Sequence, residues 1–287
     1  MKKQIITLVI GLFVTLVLGG QERKLNILVI GAHPDDCDHI AGGTAILYSK
    51  MGHNVRFVSM TNGDAGHQSM GGGALAKRRM AEAVEAGKRF GVQYHVMDIH
   101  DGELMPTLEN RLKVIREIRN WHADLVITHP PDDYHPDHRY TSILVQDASY
   151  MVIVPNVAPD TPPLESNPVF LYPGFSAPEI AIDVDAVFDQ KIFAMSAHES
   201  QYFEWLPWTE GKLKEVPAGS DDRLKWLANS YDYDLTNKPV KDCLLKWYGE
   251  EKTSRTRHAE TFRYAPFSSH PSDDKTRELF PMLVVKK

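Results

Sequence analysis

Two histidine–carboxylate clusters hold the groups in this chain best suited to metal and proton chemistry. The first, His33-Pro34-Asp35-Asp36, comes after Gly31-Ala32 at the end of the apolar run Leu25 to Ile30; the second is His135-Pro136-Asp137-His138, much further along. Imidazole and carboxylate are both suitable zinc ligands, and His33 and Asp36, three apart at a turn entering a helix, can face one point. His138 is the obvious third ligand. Three protein ligands leave a fourth position for water, the arrangement of a catalytic zinc, which brings the pKa of that water to about 7. Asp35 and His135 then stay outside the metal shell for proton transfer. A lone histidine at a strand end is more often a hydrogen-bonded core residue than a ligand, and H-P-D-H by itself could be a capped turn, with Asp137 near the start of the following helix. Two clusters, each placed after a buried strand, point to one shared metal.

The elements that must position these groups alternate along the chain. Leu25 to Ile30, Val55 to Met60, Tyr94 to Asp98 and Asp124 to Thr128 read as strands. Between and after them, Ala41 to Met51, Ala74 to Phe90, the stretch marked by Leu108, Leu112, Ile115 and Ile118, and Thr141 to Val152 read as helices. For the helix from Ala74, the expected inner face is Ala76, Met80, Ala83, Val84, Gly87 and Phe90. Val169 to Tyr172 and Glu179 to Val184 are late strands, and Ala186 to Ala197 a late helix. This order predicts an α/β fold, a Rossmann-like parallel sheet flanked by helices with right-handed crossovers. Open α/β sheets bind ligands at the carboxyl ends of their strands, where both clusters would project.

A dinucleotide fingerprint would need glycines in the first strand-to-helix turn, and the two carboxylates there repel a phosphate. The glycine-rich stretch Thr61 to Gly73 lacks the lysine and hydroxyl of a P-loop and reads as a mobile active-site loop. No serine sits in a G-x-S-x-G elbow, so a covalent serine mechanism is not supported.

The 287 residues carry a net charge of −6 with no basic block, which gives no electrostatic footprint for nucleic acid. Lys2-Lys3, the apolar run Ile5 to Leu18 and the small residues Gly19-Gly20 predict a signal peptide over residues 1–20. Its apolar core is shorter than the roughly 20 residues of a spanning helix, so membrane contact is expected only before cleavage. The expected location is secreted or periplasmic. A disulfide between Cys37 and Cys243 is not expected, because Cys37 lies inside the leading cluster.

A-H-P-D-D after a strand, followed by H-P-D-H, resembles the zinc-dependent de-N-acetylases of the LmbE/PIG-L family. The resemblance extends to Arg79-x-x-Glu82, Phe90-Gly91, Asp101-Gly102, Lys191-x-x-Ala194-x-x-x-His198-x-Ser200-Gln201 and Ala259-Glu260-x-Phe262. It covers residues 21–201 as a catalytic domain and is thin over 202–287, apart from that last match. It implies Zn2+ on His33, Asp36 and His138, with Asp35 as the general base. His135 would stabilise the oxyanion or protonate the leaving amine, and Asp137 would orient a histidine. Asp64, Arg79 and Asp101 match positions facing the sugar, and His198 one near the metal. The implied substrate is an N-acetylated amino sugar or glycan of the N-acetylglucosamine type. Cys37 stands where the family usually has glutamate, and it is expected to fill a small buried space.

The stretch 202–287 is an aromatic-rich elaboration of the same domain, with Trp205, Trp208, Trp226, Tyr231, Tyr233, Trp247 and Tyr248. These rings could stack on sugars; the plainer expectation is that they pack a subdomain or cover the sheet edge. Two alternatives to a secreted deacetylase remain. One is a non-catalytic extracytoplasmic carbohydrate-binding protein with a structural metal, which would have no use for a base at Asp35. The other is a thiol-conjugate amidase of the same family, against which the signal segment argues.

Overall fold

The computed structural model describes residues 23–231 and 237–283. The expected signal segment and Tyr233 lie outside the described residues. Seven strands form one sheet: β1 (Asn26–Gly31), β2 (Asn54–Ser59), β3 (Gln93–Val96), β4 (Leu125–Thr128), β5 (Val169–Pro173), β6 (Ile180–Asp183) and β7 (Ala259–Tyr264). Their order is β3-β2-β1-β4-β5-β7-β6. The helices among the described residues are α1 (Asp36–Lys50), α2 (Gly72–Phe90), α3 (Leu108–Asn120), α4 (Pro136–Met151), α5 (Phe188–Met195), α6 (Leu206–Thr209), α7 (Ser220–Ser230), α8 (Lys238–Thr253) and α9 (Asp273–Leu279).

Strands β3 to β5 pair in parallel, and the chain winds outward from β1 in both directions. Alternate residues of β1 supply the two cores. Ile27 and Val29 pack with α1, α2, α5 and α8, whereas Leu28 and Ile30 pack with α3 and α4. The order reverses between β1 and β4, so the crevice at their carboxyl ends is the topological switch point.

Three features differ from the sequence expectations. Strand β7, from the stretch 202–287, lies inside the sheet and runs antiparallel to both β5 and β6. Pro173 and Ile180 flank Phe262 from opposite sides, so the chain steps across β7 and continues upward without a crossover helix. The step passes so close to Phe262 that a Cβ on Gly174 would lie 2.8 Å from its carbonyl carbon. Secondly, the inner face of α2 is rotated from the one expected. Met80 and Val84 are 44% and 46% exposed, while Arg79 and Glu82 are buried, because ion pairs and hydrogen bonds rather than apolarity hold that side. Thirdly, α1 and α4 start about a turn earlier than expected, which draws Asp36 and all of Pro136 to His138 into their first turns.

The far end of α4 is anchored by one side chain. The buried Arg119 donates Nε to Val152 O (2.9 Å), Nη2 to Met151 O and Val154 O, and Nη1 to Val157 O, Ala158 O and Thr161 O. These carbonyls lie at and beyond the helix end; Met151 O, Val152 O, Val154 O and Ala158 O also accept from backbone amides, and the guanidinium gives each a second, charge-assisted partner. Arg119→Met should therefore destabilise the protein by about 3 kcal/mol or more, read as a lowered urea midpoint with an unchanged slope.

Candidate active site

Strand β1 runs out into a tight turn in which His33 O accepts from Asp35 N at 2.8 Å and Asp36 N at 3.2 Å. Asp36 then folds back over the strand end, and its Oδ2 accepts from Ala32 N at 2.9 Å and His33 N at 2.6 Å. Gly31 makes room for this, since a Cβ there would come within 2.7 Å of Asp36 Cβ. Asp35 occupies the N-cap of α1 but makes no capping bond with its side chain. An aspartate at that position ordinarily accepts from the first-turn amides. Here its Oδ1 instead accepts from Arg79 Nη2 at 2.7 Å.

The second cluster arrives at the start of α4, beyond the loop that follows the neighbouring strand β4. His135 caps α4, its Nδ1 accepting from Asp137 N at 3.2 Å, and Pro136 sits at the first helical position, where a missing N–H costs nothing. His138 follows on the first turn. The result is a close triangle: His33 Nδ1 to His138 Nε2 3.2 Å, His33 Nδ1 to Asp36 Oδ2 3.4 Å, and His138 Nε2 to Asp36 Oδ2 3.5 Å. A tetrahedral ion with bonds of about 2.0–2.1 Å has ligand–ligand edges of roughly 3.3–3.4 Å. Donor type and spacing therefore fit a zinc-sized divalent ion on His33, Asp36 and His138. His135, with His33 and His138, forms another possible donor group, and its ring meets that of His33 edge-on at 4.6 Å.

Each of these candidate donor residues has a further polar partner. Asp101 Oδ1 lies 3.0 Å from His33 Nε2, with Asp137 Oδ2 at 3.5 Å from the same atom. Asp133 Oδ1 is 2.9 Å from His138 Nδ1, and His129 Nε2 is 3.1 Å from Asp36 Oδ2. Such carboxylate–imidazole contacts fix which ring nitrogen faces a metal. Burial disfavours charge on His33, but Asp101, Asp137 and Asp36 outweigh it and hold the imidazole well above its ordinary pKa. Burial likewise opposes charge on Asp36, yet His138 and His129 bring it well below the usual carboxylate range. His138 is raised against its burial by Asp36 and Asp133. Burial, with His33 and His138 as neighbours, depresses His135.

The remaining expected site residues are placed as follows. Arg79 is buried against Asp35 and also donates to Gly63 O at 3.1 Å. Asp64 holds the stretch carrying Asp101, its Oδ1 accepting from Asp101 N at 3.0 Å while its Oδ2 lies 2.6 Å from His100 Nδ1. Asp137 Oδ2 accepts from Gly102 N at 2.7 Å. His198 is fully buried, its Nε2 2.7 Å from Asp38 Oδ2, and it is not brought to the accessible side of the cluster. Cys37 is buried with Sγ 3.4 Å from both Val29 O and Val58 O, and burial pushes its thiol pKa up. The loop Thr61 to Gly73 is tied down at Gly63 by Arg79, at Gly66 by Gln201, and at His67 by Glu204. Sequence reasoning missed His129 and Asp133. His129 directly follows β4, as His33 follows β1, and that parallel was the available signal.

Fold and donor set together define an α/β protein with a candidate metal centre at the switch point of its sheet. The family model described as PIG-L, GlcNAc-PI de-N-acetylase, matches residues 28–149. The diacetylchitobiose deacetylase of Thermococcus kodakarensis is 31% identical over 199 residues, covering 64% of this chain and 73% of that one. A probable N-acetyl-alpha-D-glucosaminyl L-malate deacetylase 2 of Bacillus cereus is 28% identical, covering 70% and 94%. Among solved structures, the N,N'-diacetylchitobiose deacetylase of Pyrococcus horikoshii, complexed with its inhibitor MPG, superposes with a TM-score of 0.64 at 25% identity, covering 87% of this chain and 88% of that one. The chain belongs to the PIG-L family.

The close approach at Gly31 generates a test. Gly31→Ala must displace Asp36 and should weaken zinc binding by about tenfold, measured by competition with a chromogenic chelator while circular dichroism reports the fold.

Proposed function

We propose that this protein is an extracytoplasmic, zinc-dependent hydrolase that removes the N-acetyl group from N-acetylglucosamine-type sugars or glycoconjugates. The observation that carries the reading is the His33–Asp36–His138 triangle with Asp35, a carboxylate committed to none of its three corners, one residue away and held by Arg79. Zinc bound there would polarise the amide carbonyl and lower the pKa of a bound water to about 7. Asp35, its Oδ1 fixed by Arg79 Nη2, takes the proton of the attacking water at Oδ2. His135 accepts from Asp137 N at Nδ1, which leaves its ring proton on Nε2. From Nε2 it donates to the negative charge developing on the carbonyl oxygen, and Asp35 returns its proton to the departing amine. His33 and His138 keep their metal-facing nitrogens because Asp101 and Asp133 accept from the opposite side of each ring.

The sugar class rests on the named activities of the two deacetylase relatives and the family description. Location outside the cytoplasm rests on Lys2-Lys3 and the apolar run behind them. Asp35→Asn should bind zinc normally and lose a hundredfold or more in turnover, about the contribution of a general base; turnover near the unmutated rate would remove Asp35 from the mechanism. Acetate release from a panel of N-acetylated monosaccharides, chito-oligosaccharides and glycans should occur with zinc and stop with a chelator. Failure with every member of the panel would overturn the deacetylase reading.

A further inference from the structure

Helix α1 is broken at Ala41, whose φ of −145° and ψ of 20° are not helical. In an unbroken helix Gly43 N would bond to His39 O, and Thr44 N to Ile40 O. Instead Gly43 N donates to Glu260 Oε1 at 2.7 Å and Thr44 N to Glu260 Oε2 at 2.8 Å. His39 O accepts from Lys191 Nζ at 3.2 Å, and the same Nζ lies 2.7 Å from Glu260 Oε1. A buried ion pair, brought by α5 and β7, is thus inserted into the hydrogen-bond ladder of the helix that begins at Asp36.

Ala41 becomes the N-cap of a second helical segment, with Gly42, Gly43 and Thr44 as its first residues. A capping side chain accepts from the second or third of these amides, and alanine has no acceptor. Glu260 takes both from another strand. The glycines admit it: a Cβ on Gly43 would lie 2.8 Å from Val184 Cγ1 and 3.0 Å from Glu260 Oε1, and one on Gly42 2.8 Å from Phe90 Cε1. The turn Asp36 to Ile40 is thereby released from the axis of the helix body and fixed by contacts of its own. Those contacts are Asp36 to Ala32 N and His33 N, Asp38 to His198, and Lys191 to His39 O.

We propose that Lys191 and Glu260 are positioning residues for the active site, holding α1 open at Ala41 so that Asp35 and Asp36 face the metal and the attacking water. This inference rests on the metal-site reading above. A buried ion pair adds little net stability over a well-packed apolar pair of similar size. A pair with only a packing role could therefore be replaced without any change in metal affinity.

The test compares Lys191→Met/Glu260→Met, which removes both charges at similar volume and lets the ladder close, with the gentler Glu260→Gln. Zinc affinity is read by chelator competition, and ligand geometry from the visible absorption of the cobalt-substituted protein. The double variant should bind zinc about 10- to 100-fold more weakly, the range for residues that orient ligands, with an altered cobalt spectrum; Glu260→Gln should fall between it and the unmutated protein. Folded variants with unmutated affinity and spectrum overturn the positioning role alone. An unmutated protein that takes up no zinc or cobalt overturns the metal reading and this one with it. Should the double variant fail to fold, backbone carbon shifts of the unmutated zinc-loaded protein decide: non-helical shifts at Ala41 support the inference, and helical ones overturn it.

Discussion

One carboxylate oxygen sets the geometry on which this site depends. Asp36 Oδ2 accepts from the amides of Ala32 and His33 and stands within 3.5 Å of ring nitrogens of His33, His129 and His138. The amides belong to the end of β1, while His129 and His138 arrive from the end of β4. A single atom therefore ties together the strands on either side of the switch point. Such an atom cannot be satisfied by nearby sequence alone. It needs β1 and β4 in register, which Thr128 reinforces by donating Oγ1 to Ile30 O at 2.9 Å. Burial would drive Asp36 towards its neutral acid, and His138 and His129 reverse that.

Around this atom, charges alternate in space. Asp101 backs His33, Asp36 stands between His33 and His138, and Asp133 backs His138. In a water-poor cleft each of these interactions is stronger than in solution, and each unpaired member would be correspondingly costly. The arrangement separates the two aspartates at the start of α1. Asp36 is engaged with ring nitrogens and amides, and Asp35 with a guanidinium. A carboxylate beside an arginine stays accessible to a proton-bearing partner without competing for the metal. That separation is what a site needs if one group is to bind an ion and its neighbour is to move a proton.

Much of this was legible in the sequence because buried parallel strands leave apolar runs with abrupt polar ends. Leu25 to Ile30 and Leu125 to Thr128 announce the two edges of the crevice; H-P-D-D stands just beyond the first, and H-P-D-H beyond the second and its loop. Other parts were hidden for physical reasons. Strand β7 alternates, with Glu260 and Phe262 both buried, but a glutamate in the inward phase conceals the pattern until Lys191 is known to face it. Arg79 and Glu82 disguised the buried face of α2 in the same way. Asp133 lies in an irregular loop that carries no periodicity, so nothing in its neighbours marks it as the partner of His138. The aromatic tail was legible only as a class. Trp247 is buried with its Nε1 on Glu179 O, whereas Trp208 is half exposed and stacked on Trp205.

The polar residues scattered through the later chain converge on the first helical segments. Asp38 meets His198, Glu82 meets Ser200, and Lys191 and Glu260 meet the backbone of α1. All are buried, and the net stability expected from such pairs is small, because desolvation offsets most of the attraction. Their directionality is not offset. An apolar core tolerates small rotations of a helix on a sheet, since many packings have similar energy. A charge or hydroxyl held to its partner at 2.6–2.7 Å does not. Apolar burial on both faces of the sheet thus accounts for the fold, and the buried polar contacts select, among nearby packings, the one in which His33, Asp36 and His138 point at one another.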